Sequence, residues 1–207
     1  MLRRFLLIWV LLACCLTALP AAASPVILAW GDSLCAAYGI KTSEGWVAHL
    51  DARLKAQGYD YTVVNGCVSG ETTAGGLARL PAAIAQHKPS VVILELGSND
   101  GLRGTPVKVM RDNLGEMIRL SKQLGAKILL LGMLMPPNYG AGYTHEFESS
   151  FADISRQYGT AYLPFLLKGV ADHRDLMQAD NMHPTAAGEP IVLDNVWPAL
   201  KPLLKKP

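Results

Sequence analysis

A chain of 207 residues is long enough to bury one proper core, and with half its residues hydrophobic and only 17% charged it is not a disordered tail or linker. Two of its nineteen basic residues, Arg3 and Arg4, stand in the first four positions; without them seventeen Lys and Arg face seventeen Asp and Glu. A charge balance of this kind gives no ground for nucleic acid or an anionic membrane as partner.

The N-terminus reads as a targeting segment. Met1-Leu2-Arg3-Arg4 is a short basic start, FLLIWVLLACCL (5–16) is an unbroken apolar run, and Leu19-Pro20-Ala21-Ala22-Ala23 offers a small-residue cleavage site before Ser24. The pattern predicts a secretory signal peptide over 1–23 and one exported domain over 24–207. The apolar run is too short to span a bilayer comfortably, so no transmembrane span is expected after cleavage. Leu11-Leu12-Ala13-Cys14 supports a second reading, a lipoprotein box that would anchor the chain through Cys14.

Beyond residue 24, apolar strands alternate with amphipathic helices. VILAW (26–30) reads as a fully buried strand. Ser43 is placed to cap a helix whose Trp46, Val47, Leu50 and Leu54 share one face, with Gly58 as its stop. YTVVN (61–65) is the second strand, and Leu77, Leu80 and Ile84 then recur at helical spacing, with Pro81 marking a kink or restart. VVILEL (91–96) is the third strand. Thr105-Pro106 opens a helix predicted to bury Met110, Leu114, Met117 and Leu124 before Gly125. KILLLGML (127–134), a helix over 145–157, a short strand at 161–165 and a last helix from about Pro190 complete the chain. Strands apolar on both faces, each followed by a helix, predict a parallel sheet covered on two sides: an α/β protein with a three-layer α/β/α sandwich.

Right-handed crossovers bring the carboxyl ends of all strands to one edge, where open α/β sheets hold ligands. Three glycine-bearing polar loops open there: Gly31-Asp32-Ser33, Asn65-Gly66-Cys67-Val68-Ser69-Gly70 and Gly97-Ser98-Asn99-Asp100. Each alone is an ordinary turn sequence. Ser33 is either a strand-ending turn residue or a nucleophile, and a hydroxyl nucleophile needs a histidine base and a group to orient it. His49 and His87 fall in helices, and His145 and His173 lack a well-placed acid. His183 has Asp180 three residues before it in ADNMHP, so one turn of backbone can put the carboxylate on Nδ1 and leave Nε2 free. Such a D-x-x-H pair is more often a surface pair than a catalytic one.

Taken together, GDSL at 31–34, Gly70 in VSGET, GSND at 97–100 and DNMH at 180–183 resemble, in order and spacing, the four blocks of the SGNH (GDSL) hydrolases. GGLARLP (75–81), NDGLRG (99–104), PPNYG (136–140) and QADNMHP (178–184) are similar to its bacterial periplasmic branch of multifunctional esterases, acyl-CoA thioesterases and lysophospholipases. The resemblance spans about residues 25–204 and implies the SGNH fold, a flavodoxin-like parallel sheet. It also implies a serine hydrolase cleaving carboxylic esters and thioesters, with no cofactor and no metal. Ser33 would be the nucleophile, His183 the general base and Asp180 its orienter. The N–H groups of Ser33 and Gly70 and the amide of Asn99 would form the oxyanion hole. Asp32 is expected to be a structural partner for nearby loop N–H groups. The G-x-S-x-G elbow of the α/β-hydrolases is absent, since Cys35 stands where its second glycine would be.

An acyl ester or thioester as the small-molecule partner needs an apolar groove. Candidate walls are residues 101–105 and 133–139, with Leu102, Arg103, Met135, Pro137 and Tyr139 as substrate-contacting candidates; Met133 and Leu134 read equally well as core at a strand end. Removal of acetyl groups from carbohydrate is an alternative use of the same machinery. A non-catalytic binding module is a third reading, but neither phosphate-binding glycine motif, G-x-x-x-x-G-K-[ST] or G-x-G-x-x-G, is present. Cys35 and Cys67 depart from the family, which more often has small residues there. They lie after strands that are neighbours in a flavodoxin-like order, so they are either a disulfide fixing Ser33 near Gly70 or two buried thiols. The sequence carries no signal for an oligomeric state.

Overall fold

The computed structural model describes residues 24–206, so the signal-peptide and Cys14 readings lie outside the described residues. Five strands form one parallel sheet: β1 (Val26–Gly31), β2 (Thr62–Asn65), β3 (Val91–Glu95), β4 (Lys127–Leu131) and β5 (Ala161–Leu163), in the spatial order β2-β1-β3-β4-β5. This is the flavodoxin-like order, with its switch point between β1 and β3. Every residue of β3 is buried, whereas edge strand β2 is only half covered.

Helices cover both faces. α1 (Trp46–Ala56) and α6 (Glu189–Leu200) pack together on one side; α2 (Thr73–His87), α4 (Val107–Gln123) and α5 (Ala141–Tyr158) pack together on the other. Apolar side chains meet the sheet from both layers, Trp46, Leu50 and Leu54 from α1 and Met110, Leu114, Phe147 and Phe151 from α4 and α5. Among the described residues no helix is long and apolar enough to cross a membrane.

Several local expectations change. Ser43 lies in a 3-10 turn (Thr42–Glu44) and does not cap α1, which starts at Trp46. The Trp46 N–H instead donates to the Glu189 carboxylate, 2.8 Å away, so a contact across 143 positions replaces a local cap. Pro81 does not restart α2; it sits on the exposed side of one continuous helix, whose N-cap is Thr72. Leu124 is 57% exposed, not buried, because α4 ends one residue earlier and the chain turns there through Gly125 toward β4. GSND is not all loop: α3 (Ser98–Leu102) is a short helix. β4 stops at Leu131, where its pairing with short β5 runs out, and α5 begins four residues before the expected start.

The buried Glu189 carries a pH signature. Burial pushes its carboxyl up to about 7 from 4.5, against the opposing effect of the Trp46 N–H. A carboxyl raised on folding contributes stability that is complete below about pH 4.5 and lost as pH rises through 7. Thermal melts should therefore show a Tm that falls between pH 5 and pH 8. Glu189→Gln, whose amide oxygen still accepts from Trp46, should flatten that fall and exceed the parent at pH 8; an unchanged slope would contradict the assignment.

Candidate active site

The site grows from the end of β1. Gly31 is required where β1 runs closest to β3: a Cβ there would stand 2.4 Å from the Glu95 carbonyl oxygen and 2.5 Å from Cys35 Sγ. The next residue, Asp32, is fully buried and sits over Glu95, the buried last residue of β3. Asp32 donates its N–H to Glu95 Oε2 (3.1 Å), accepts the Leu34 N–H on Oδ1 (3.1 Å) and accepts Asn99 Nδ2–H on Oδ2 (3.1 Å). Its side chain thus closes a turn around Ser33 and reaches across to the loop after β3.

Burial pushes the Asp32 carboxyl up to about 6, while the Leu34 N–H, the nearby His183 and the Asn99 amide pull the other way. Glu95 is driven well above the ordinary carboxylate range, first by burial and then by the negative charge of Asp32. Both shifts favour the protonated forms of two carboxyls that share one buried site.

Ser33 and His183 come from opposite ends of the chain. Ser33 Oγ lies 2.8 Å from His183 Nε2, and His183 Nδ1 lies 2.7 Å from Asp180 Oδ2. Asp180 Oδ1 also accepts the N–H groups of Met182 and His183, so the carboxylate folds the loop that presents the imidazole. Partial burial raises the Asp180 carboxyl, but these N–H groups and the ring outweigh it and hold it below the ordinary value. Gln178 fixes the segment from outside, donating to the carbonyls of Tyr38 and Pro184, and the Tyr38 ring packs on the imidazole with centroids 4.6 Å apart.

Asn99 stands on α3, which Gly97 makes possible. Gly97 has φ +127°, and a Cβ there would press on Met110 and Phe151 at 3.0 Å. Asp100, buried beside Asn99, accepts the Thr73 backbone N–H and hydroxyl (2.8 and 2.6 Å), tying α3 to the start of α2. Gly70 lies on the loop between β2 and α2 with φ +79°; its carbonyl accepts from Arg103 (3.1 Å). A disulfide joins Cys35 to Cys67 (S–S 1.99 Å, Cα–Cα 5.8 Å), which decides between the two cysteine readings.

Ser33, Asn99 and His183 open into a cavity of about 500 Å³. Leu102, Met135 and Pro137 line it, as do Met133 and Leu134. Arg103 and Tyr139 do not line it: Arg103 donates to the Gly70 carbonyl, and the Tyr139 hydroxyl donates to the carbonyl of the wall residue Leu102 (3.1 Å). Gly70 also stands outside the lining set. The opposite wall, Phe165, Leu167, Met177 and Met182, was not foreseen. Phe165 and Leu167 follow β5 at the same sheet edge, and Met182 precedes His183, so both signals were present in the sequence. Among the described residues no group of three or more His, Cys, Asp or Glu is arranged to hold a metal.

Comparison with known proteins agrees with this architecture. Residues 29–190 match the GDSL-like Lipase/Acylhydrolase family. The chain is 51% identical to Esterase TesA of Pseudomonas aeruginosa over 183 residues, 88% of this chain and 91% of that one. It is 35% identical to Thioesterase 1/protease 1/lysophospholipase L1 of Escherichia coli K12, over 89% of this chain and 87% of the relative. A crystal structure of TesA superposes with a TM-score of 0.85, covering 86% of this chain and 99% of that one. The chain belongs to the GDSL-like lipase/acylhydrolase family and is an ester hydrolase of SGNH fold.

Proposed function

We propose that Ser33, His183 and Asp180 are the catalytic triad of a hydrolase for acyl esters and thioesters, including aryl esters and lysophospholipids. The observation that carries this is the hydrogen-bonded chain Ser33 Oγ–His183 Nε2 (2.8 Å) and His183 Nδ1–Asp180 Oδ2 (2.7 Å) at the polar end of an apolar cavity.

In this reading His183 Nε2 takes the Ser33 proton as Oγ attacks the acyl carbonyl carbon, and Asp180 holds the ring with Nδ1–H toward its carboxylate. The tetrahedral oxyanion is received by the N–H groups of Ser33 and Gly70 and by one Asn99 Nδ2–H, the other being held by Asp32. Collapse expels the alcohol or thiol, which takes the proton from His183. Water, deprotonated by the same nitrogen, then releases the acid from Ser33. Asp32 is a positioning residue that aims the Asn99 amide without touching substrate.

The apolar walls favour an acyl chain. Methionines at 133, 135, 177 and 182 supply a surface that adapts to chains of different shape. Carbohydrate deacetylation, by contrast, would call for more polar partners than Leu102, Leu134, Pro137 and Phe165 offer. Export to the periplasm is supported by the signal-like residues 1–23 and by a disulfide of the kind that persists in oxidising compartments. The Cys14 anchor remains the alternative form of export.

Two experiments test the assignment. Ser33→Ala should reduce hydrolysis of p-nitrophenyl butyrate to background while the protein remains folded; substantial residual turnover would reject Ser33 as nucleophile. Asn99→Ala should lower kcat roughly 10²–10³-fold with KM little changed, because the amide acts on charge that develops only in the transition state. A loss expressed wholly in KM would instead make Asn99 a substrate-binding group.

A further inference from the structure

The three groups assigned to the oxyanion hole follow three different strands, and the loop carrying Gly70 is poorly packed. It leaves edge strand β2, Val68 is 45% exposed, and Ser69 and Gly70 are exposed as well. Nothing lies within 4 Å of where a Gly70 Cβ would be. Beyond Gly66, whose N–H donates to the Ala29 carbonyl (2.8 Å) and whose carbonyl accepts twice from Arg79 (3.4 Å each), the ties outside the loop thin out to Val68 N–H on the Gly31 carbonyl (3.0 Å) and Arg103 on the Gly70 carbonyl (3.1 Å). Bonds of this kind contribute about 1 kcal/mol each. A donor that must be in place before charge develops needs firmer support.

The disulfide supplies it. Cys35 is two residues past Ser33 and buried in the core, and Cys67 is three residues before Gly70 and half-buried. Asn65 ties the same two backbones, donating to the Cys35 carbonyl (2.9 Å) and accepting the Cys67 N–H (3.0 Å). Because Cys35 is anchored at the end of β1, next to the Asp32 turn, the crosslink transfers the rigidity of the central sheet to an edge loop that packing does not hold.

We propose that the Cys35–Cys67 disulfide is a positioning element for the oxyanion hole, so that turnover depends on its oxidation state while the fold does not. The proposal rests on the assignment of Ser33 and Gly70 as oxyanion donors. Reduction by dithiothreitol transfers two electrons and two protons, converting the S–S bond to two thiols as the reagent closes to its own cyclic disulfide. The half-buried Cys67 sulfur is the accessible end for attack. The Ser33–His183–Asp180 geometry has its own hydrogen bonds and persists, whereas the Gly70 N–H is free to drift.

The test compares oxidised and dithiothreitol-reduced full-length protein on p-nitrophenyl butyrate, well below the melting temperature. Mass spectrometry of iodoacetamide-treated digests reports whether Cys35 and Cys67 are crosslinked or alkylated, and circular dichroism reports the fold. Reduction should lower kcat about tenfold, part of the 10²–10³-fold that loss of a donor outright costs, with KM within about twofold. Reoxidation should restore it. Cys35→Ala/Cys67→Ala should match the reduced enzyme and ignore dithiothreitol; Cys67→Ser, which leaves the buried sulfur in place, should do the same. Unchanged kcat on full reduction, a loss confined to KM, or free thiols at both positions in the oxidised protein would overturn the proposal. Its failure is separable from failure of the hydrolase assignment, which Ser33→Ala tests in either redox state.

Discussion

The buried carboxyl of Asp32 holds this site together. Its carboxylate accepts one N–H from the turn that carries Ser33 and one from the side chain of Asn99, thereby joining the loops after β1 and β3 at the switch point of the sheet. Burial pushes that carboxyl up to about 6 and drives Glu95 beneath it well above the ordinary carboxylate range, so the contact is held against a desolvation cost.

Around that contact the fold makes the chemistry a matter of convergence. Ser33, Asn99 and the Gly70 loop leave the carboxyl ends of three strands, and His183 arrives from a loop some 150 residues after Ser33. The Ser33 hydroxyl meets an imidazole from the far end of the chain and the Asn99 amide is directed by Asp32 on another loop, whereas Asp180 reaches His183 from within the same loop; all of them stand beside an apolar cavity.

Much of this was legible in the order of residues, for identifiable reasons. Alternating apolar strands and amphipathic helices fixed the parallel sheet, and glycine-bearing loops after β1, β2 and β3 located its working edge. His183 stood out because Asp180 precedes it by three residues, a spacing that local backbone geometry alone can close. What sequence patterns could not carry was contact between distant positions. Glu189 capping α1 replaces Ser43 across the whole domain, and Glu95 looked like one residue in an apolar strand until Asp32 was placed over it. Arg103 illustrates the same limit: its position in the loop suggested a substrate contact, while its guanidinium is spent on the Gly70 carbonyl. The far wall of the cavity, from Phe165 to Met182, is apolar, and only the fold shows that the chain after β5 turns these side chains toward the site.

The most direct test of the central contact is Asp32→Asn, measured for both stability and turnover. One amide oxygen cannot accept from Leu34 and Asn99 together, and the new NH₂ would confront the Asn99 amide as donor against donor. The account predicts a kcat lower by at least about tenfold, with unfolding free energy at neutral pH equal to or above that of the parent because a buried charge has been removed. An Asp32→Asn protein with undiminished kcat would show that the carboxylate does not aim the oxyanion donor, and the architecture described above would lose its organising contact.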